Sequence, residues 1–325
     1  MIEVLDGGLL TTVQDGGRYG MYDIGMPPSG AMDDFSFRVA NLLVANEEDA
    51  AALEVTYFGP RLRFEADRIV AITGADMPPM VDGDSRPAWE AFEVKAGETL
   101  HFDYLLGGAR AYIAVAGAIE VEEVLGSRST YTLCAIGGYE GRGLREGDRL
   151  SLGEPRARAD RAGAEVGDSH RPKFSKETEL RAMIGLCSYR LTEESIETFL
   201  EAEWTVTPDA DRVGYRYRGA ELEFAERERA PFGAGSDPAN VVDLGYPVGS
   251  IQVPGGVEPI ILLNDAVTGG GYATIGTVIS VDRDRLAQTK THDKTRFRSV
   301  GMDEALAARA ERRQRLAEIR SDLGA

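Results

Sequence analysis

The sequence predicts a mostly β protein of two lobes with few helices. Short runs rich in β-branched and aromatic residues recur through the first half of the chain. A polar, charged stretch over residues 154–178 then breaks the pattern. Strand-like runs resume behind it and end in a segment rich in alanine, arginine and glutamate, with helical character. A length of 325 residues suits two domains or one large one, and 43% hydrophobic content is enough for real cores.

The opening segment, TTVQDGGRYGMYDIGMPPSGAMDDFSFRVANLLVAN over residues 11–46, sets much of its polarity beside glycine or proline rather than on an amphipathic face. Loops on a rigid scaffold are where binding groups gather, so Gln14, Asp15, Arg18, Ser29 and Asp33 are candidates for ligand contact. A helix is expected from residue 33 to about 46. Asp33 suits its N-cap, and Phe35, Val39, Leu42 and Leu43 repeat at helical spacing. Residues 69–73, 89–94, 99–105 and 110–116 read as strands, with Lys95-Ala96-Gly97-Glu98 as a hairpin turn between two of them.

The 154–178 stretch reads as a linker or mobile loop, which places an N-terminal β-rich lobe at 1–153 and a C-terminal lobe at 179–325. Residues 180–186 resume as strand. Thr192 caps an acidic helix to about residue 201, with Glu193 and Glu194 favourable to its dipole. Strands are expected at 212–218, 259–263, 275–281 and 295–300. Residues 302–323 form a terminal helix whose leucines and alanines give one weakly apolar face, expected to dock on its own lobe.

Acidic residues outnumber basic ones 54 to 36, for a net charge of -18. Such a surface repels phosphate backbones and argues against nucleic-acid partners. Lysine occurs only at Lys95, Lys173, Lys176, Lys290 and Lys294. Two accounts of this composition stay open: an acidic proteome adapted to a salt-rich cytosol, and compositional drift of the genome. No apolar run approaches the ~18 residues of a membrane helix. The MIEVLDGG start shows neither a basic region nor an apolar signal segment, so a cytoplasmic protein without a membrane partner is expected. Cys134 and Cys187 lack a CxxC partner, sit among apolar residues and are expected to be buried free thiols. His101, His170 and His292 fall in no HExxH-like pattern, so no metal site is expected.

The chain has no GxxxxGK[ST] phosphate loop, no GxSxG elbow, and no lysine in the Ala-Met-Lys-Met context that carries biotin. Four polar constellations remain. In the opening segment, Asp15 and Arg18 suit either a ligand contact or a local ion pair, and Ser29-Gly30 ahead of Asp33 suits an anion site or a plain capping turn. Residues 125–148 set the donors Ser127, Arg128, Ser129 and Thr130 near Gly137, Gly138, Gly141 and Gly143, which suits close ligand approach or a glycine-rich hairpin. Arg212, Arg216 and Arg218 alternate on an expected strand and would share one face, to hold a carboxylate or phosphate or to balance neighbouring acids. Finally, an apolar strand ends in Asn264-Asp265, then Thr268 and three glycines. That pattern suits a general base, a ligand clamp or a capped turn.

Together and in order, GLLTTVQDGGRYG, PPSGAMD, VANLLVAN, GSRST, GGYEGRGL, DRVGYR, IQVP and GGGYATIG resemble the family of 5-oxoprolinase C-subunits. That family is also described as allophanate hydrolase subunit 2, as the KipA-type antagonist, and as the biotin-dependent carboxyltransferase domain of urea carboxylase. The resemblance spans residue 8 to about 307. It departs at Gly16, where the family carries leucine, and at Asp243-Leu244-Gly245, where the family has Ser-Glu-Gly. The resemblance implies cyclophilin-like β-barrel lobes, and a hydrolase component that pairs with a KipI-like B-subunit plus an A-subunit. Together these would open 5-oxo-L-proline, a small amide, to glutamate with ATP used by the complex. No cofactor would be bound covalently, and biotin would enter only if supplied by a partner. Asp265 and Arg212 are the implied catalytic residues. Arg216, Gln252, Thr268, Tyr272, Gln14, Arg18, Ser29, Asp33, Ser127 and Arg128 are the implied binding residues. A carboxyltransferase and a non-catalytic KipA-like regulator that binds a kinase inhibitor stay open beside this reading.

If the acidity is an adaptation to salt, the melting temperature should rise with KCl well beyond the physiological ~0.15 M. A thermal-denaturation series in KCl checks this, and a maximum at or below physiological salt would favour drift.

Overall fold

The protein, seen in a computed structural model, is described over residues 1–155, 161–227 and 229–324. It is mostly β, with four α-helices among the described residues: α1 Asp34–Leu43, α2 Glu193–Glu201, α3 Arg283–Leu286 and α4 Met302–Leu323. The chain forms two compact units. One takes Met1–Arg18, Ser29–Phe174 and Arg312–Ala325, the other Tyr19–Pro28 and Ser175–Glu311.

The first unit is a sandwich. Its five-stranded sheet runs in the order Leu10–Gln14, Ala52–Thr56, Gly107–Val115, Arg68–Asp76, Ala91–Val94. Alternation along each strand sends Val13, Leu53, Val55, Val70, Ile72, Ile113 and Val115 to one face. There they meet Ile2, Val4, Leu62, Phe64, Leu100 and Leu150 from a seven-stranded sheet. The opposite face carries small residues, Ala52, Ala71, Ala91 and Ala114, and helix α1 lies against it. Small side chains let the helix approach closely, so Phe35, Phe37, Val39 and Leu43 are buried. Both faces are covered, and the strands therefore read as near-continuous apolar runs rather than clean alternation.

Helix α1 begins where the sequence places it. Asp33 is the N-cap, and its Oδ1 accepts from the Ser36 N–H at 3.0 Å. The next residue, Asp34, accepts from Arg38 Nε (2.9 Å) and from Arg312 Nη2 (2.7 Å). Burial pushes the Asp34 carboxyl up, but Arg312 and Arg38 outweigh it and hold the group below the usual carboxylate range. In α4, Leu316, Ile319 and Leu323 recur at helical spacing and join the α1 core of this unit. Of the 154–178 stretch that the sequence presents as a linker, residues 156–160 lie outside the described residues. Residues 161–174 group with the first unit. The Gly163 N–H donates to Ala91 O, the Ala91 N–H to Ala164 O and the Val166 N–H to Trp89 O.

The second unit is a closed seven-stranded barrel in the order Glu177–Ile184, Thr274–Val278, Ser250–Gln252, Ile260–Leu262, Gly214–Arg218, Trp204–Ala210, Lys294–Ser299. Parallel pairing of its first and last strands closes it. Thr192 caps α2 by accepting the Ser195 N–H at 3.1 Å. Phe199 of α2 stacks on Phe297 at 4.5 Å, and the Trp204 indole N–H donates to Phe199 O. Ala305 and Ala308, from the first half of α4, pack with Ile279 and Val300.

Two local expectations are corrected. The Lys95–Glu98 turn exists, closed by the Glu98 N–H donating to Lys95 O. It joins a strand of the five-stranded sheet to a strand of the seven-stranded one, so it is a corner between sheets and not a hairpin. Strands at Leu10–Gln14 and Trp204–Ala210 were not expected from the sequence. The first buries Thr11, Thr12 and Gln14, and the second contains Pro208 and Asp209, so neither carries the usual apolar signal.

Ile319 is 2% exposed in the α1 core. Ile319→Ala should lower the unfolding free energy by about 2–4 kcal/mol in urea titration. An unchanged midpoint would mean that this half of α4 does not pack there.

Candidate functional site

The opening segment of the first unit folds around one carboxylate. Asp15 Oδ1 accepts from the Gly17 N–H (2.9 Å) and from the hydroxyls of Ser127 (2.6 Å) and Ser129. Its Oδ2 accepts from the Arg128 N–H at 2.5 Å. Three residues on, Arg18 is 1% exposed and runs along the same loop from the other side. Its Nε donates to Val124 O (2.9 Å) and its Nη2 to Ser129 O (3.1 Å). Gly137 closes over this group with φ +66. A Cβ there would lie 2.2 Å from Ser129 O and 2.8 Å from Arg18 Nη2, so only glycine fits. The Arg128 guanidinium turns away, donating to Val121 O and pairing with Glu123. Thr130, the last of the four consecutive donors, gives its hydroxyl to Val13 O.

Gln14 is fully buried, and its Nε2 donates to Thr12 Oγ1 (3.0 Å) and Thr130 O (3.2 Å). Ser29 and Gly30 both adopt left-handed backbone, φ 51 and 79. The Ala31 N–H behind them donates to Asp15 O. Asp33 spends its carboxylate on Ser36, through the N–H and the hydroxyl (2.7 Å). Glu54 and Tyr112 also belong here, and the sequence reading missed them. Glu54 Oε2 accepts from the Met32 N–H (2.8 Å) and the Tyr112 hydroxyl (2.9 Å), and Tyr112 Oη accepts from the Asp33 N–H (2.7 Å). Burial, then the negative charge of Glu54 and Asp33, pushes the Tyr112 phenol well above its usual pKa, so it stays protonated and donates. Their signal in the sequence is faint: a lone glutamate and a lone tyrosine inside runs that otherwise read as core.

In the second unit Arg212 and Asp265 form a buried bidentate pair, Nε to Oδ2 at 2.8 Å and Nη2 to Oδ1 at 3.1 Å. The two backbones are tied as well, the Asp265 N–H donating to Arg212 O. Exposure is 5% for Arg212 and 2% for Asp265. A carboxylate gripped on both oxygens by one guanidinium is suited to fixing that guanidinium and its loop.

The three arginines do not share a strand face. Arg212 lies in the turn ahead of Gly214–Arg218, while Arg216 and Arg218 project from that strand opposite the buried Tyr215 and Tyr217. Arg216 and Arg218 converge on Glu258, at 3.0 and 3.4 Å. Hydrogen bonds from Arg216, and with them Arg218, hold the Glu258 carboxyl below its usual range.

A third group centres on Tyr246. Its hydroxyl donates to Tyr272 O and accepts from the Tyr272 N–H, both at 2.8 Å, and its own N–H donates to Thr268 O. Burial raises the Tyr246 phenol pKa, against the lowering effect of the Tyr272 backbone and of Gln252. A Cβ on Gly270 would lie 2.9 Å from the Tyr246 ring, so the glycine run packs its backbone on that ring. Tyr272 is itself 43% exposed. Gln252, Thr268 and Tyr272 are thus brought together around a residue that the sequence reading did not select.

Cys187 is buried, as expected, but Cys134 is exposed. Its apolar neighbours Leu133 and Ala135 sit on a short surface turn, with Leu133 itself 66% exposed. Among the described residues no helix is long and apolar enough to cross a membrane.

A sandwich and a closed barrel carrying these polar loops define a class. The chain belongs to the family of carboxyltransferase domains, subdomains A and B, whose model matches residues 24–299. Among its relatives, the 5-oxoprolinase C-subunit of Escherichia coli K12 is 34% identical over 97% of this chain and 96% of its own length. A putative urea carboxylase of Emericella nidulans is 33% identical over 98% of this chain, which spans only 26% of that protein. The crystal structure of the Kluyveromyces lactis urea carboxylase superposes with a TM-score of 0.91 at 32% identity, over 98% of this chain and 29% of that one.

Asp265→Ala would leave the Arg212 charge buried without its carboxylate, and should cost about 3–5 kcal/mol of stability. The paired change Arg212→Met with Asp265→Leu should recover most of that loss in urea unfolding. Equal losses in single and double variants would show that the pair is not what holds this loop.

Proposed function

We propose that this chain is the C-subunit of an ATP-dependent 5-oxoprolinase, working with a B-subunit plus an A-subunit to open 5-oxo-L-proline to glutamate. The observation that carries the reading is the match to the E. coli 5-oxoprolinase C-subunit through nearly the whole of both chains. The reaction adds water across the lactam C–N bond, and a second water is consumed as ATP becomes ADP and phosphate. Charge develops on the amide oxygen and nitrogen, which calls for fixed donors and a positioned cation. In the first unit, Ser29 and Gly30, shaped by the Asp15 loop with Gln14, Arg18, Ser127 and Arg128 behind them, would present donors to the substrate or to the B-subunit. Arg212, held by Asp265, would supply a fixed positive charge, Asp265 acting as its orienting partner. Arg216, half-exposed and shared with Glu258, would meet the substrate carboxylate by exchanging partners. Gln252, Thr268 and Tyr272 would line the approach. ATP is assigned to the complex as a whole, with no residue of this chain assigned to it.

A second reading, carboxyl transfer from biotin carried on a partner chain, draws support from the family description and from the K. lactis urea carboxylase structure. Co-purification with candidate B- and A-subunits, followed by an assay of ATP-dependent glutamate release, separates them. Release that requires this chain and survives avidin supports the oxoprolinase. Release undiminished when this chain is omitted overturns it. Avidin-sensitive carboxylation of an amide would establish the second reading, and a stable complex with no turnover would favour a KipA-like regulator. In an active complex, Arg216→Ala should raise KM by roughly tenfold with kcat little changed, as expected for loss of uniform binding.

A further inference from the structure

The strand register of the first unit sets four buried polar side chains in one line. Thr12 faces Glu54, Glu54 faces Tyr112, and Tyr112 faces Thr73, so the row crosses four adjacent strands. All four are at most 1% exposed. They lie on the face of the sheet that also carries Ala52, Ala71, Ala91 and Ala114 and that α1 covers. A row of apolar residues would fill this layer without needing partners, whereas each buried polar group must be hydrogen-bonded or it destabilises the fold.

The bonds made by the row fall on one short segment of backbone. Glu54, from Ala52–Thr56, accepts the Met32 N–H. Tyr112, from Gly107–Val115, accepts the Asp33 N–H and donates its own O–H to Glu54 Oε2. Thr73, from Arg68–Asp76, donates to Ser36 O at 2.6 Å. Arg110 stands 3.8 Å from the other Glu54 oxygen and balances its charge. Three strands therefore each fix one backbone group between Met32 and Ser36. The grip begins two residues beyond Gly30. A segment held this way at one end, and by the Ala31 N–H bond to Asp15 O beside it, cannot rotate its left-handed Ser29-Gly30 pair freely.

We infer that Glu54, Tyr112 and Thr73 are positioning residues. They clamp the start of α1 so that Ser29 and Gly30 hold the geometry that the reaction uses, an inference that rests on the functional reading above. None of the three touches substrate; they act through the backbone they hold. The clamp works by accepting hydrogen bonds at Glu54 Oε2, so an amide oxygen can replace the carboxylate oxygen there.

Two measurements on the full chain decide the matter. The first is hydrogen–deuterium exchange at the Met32 and Asp33 amides, with the amides of residues 39–43 in α1 as an internal control of folding. Tyr112→Phe and Glu54→Ala should speed exchange at Met32 and Asp33 by at least ~10-fold while the control amides stay protected. The second is turnover in the reconstituted complex. Both variants should lower kcat by ~10-fold or more with KM within about threefold, since misplacement of a fixed donor is felt in the transition state. Glu54→Gln should recover most of the loss seen in Glu54→Ala. Unchanged exchange in Tyr112→Phe would overturn the clamp. Faster exchange with full turnover, or a KM effect alone, would overturn its role in the reaction. A wild-type complex without 5-oxoproline turnover would sink the functional reading only, and exchange would still decide the clamp.

Discussion

The five-stranded sheet of the first unit has no solvent face, and most of what is distinctive in that unit follows from this. One side meets a second sheet through valine, leucine and isoleucine. The other meets α1 through alanines, with a polar line running across them. Apolar surface on both sides supplies the burial that stabilises the sandwich. It also means that any polar group on the helix side must find its partner within the protein. Thr12, Glu54, Tyr112 and Thr73 find theirs in neighbouring side chains and in the backbone that leads into α1, so a requirement for hydrogen bonding becomes a restraint on the loop ahead of that helix.

The same economy governs the arginines. In a chain of net charge -18, buried guanidiniums satisfy backbone carbonyls or single carboxylates. Arg18 binds carbonyls of the 124–129 loop, Arg190 reaches Ala225 O and Pro238 O, and the partly buried Arg181 likewise grips Asp282. The Arg212–Asp265 pair is of this kind. Its two parallel bonds fix a planar geometry that a lysine ammonium cannot reproduce. Arg216 differs, because it is partly exposed and shares its carboxylate with Arg218. Exposed, shared ion pairs are weak and exchange readily, which is the property a ligand-binding cation needs.

Membership of the carboxyltransferase-domain family fits relatives with different named activities, a urea carboxylase and a component of 5-oxoprolinase. A shared scaffold does not fix chemistry, and the loops decide it. In this chain the loops proposed for that role are the Asp15 knot, the Arg212–Asp265 turn and the glycine-rich strand that lies on Tyr246.

The amino-acid sequence alone determined the β character, the caps at Asp33 and Thr192, the span of the terminal helix and the ordered motifs of the family. These depend on local spacing, and local spacing is written in the chain. It also pointed to the polar loops, because glycine and proline announce backbone that is neither helix nor strand. Tertiary structure decided the rest. The Lys95–Glu98 turn reads locally as a hairpin, and only the strand partners show it turning between two sheets. Arg212 reads as a neighbour of Arg216 and Arg218, and only the end of the strand puts it in a turn with Asp265, 53 residues away. Glu54 and Tyr112 read as oddities in apolar runs until register sets them side by side. Which side chains meet depends on pairing between distant strands, and a linear spacing rule carries no information about that pairing.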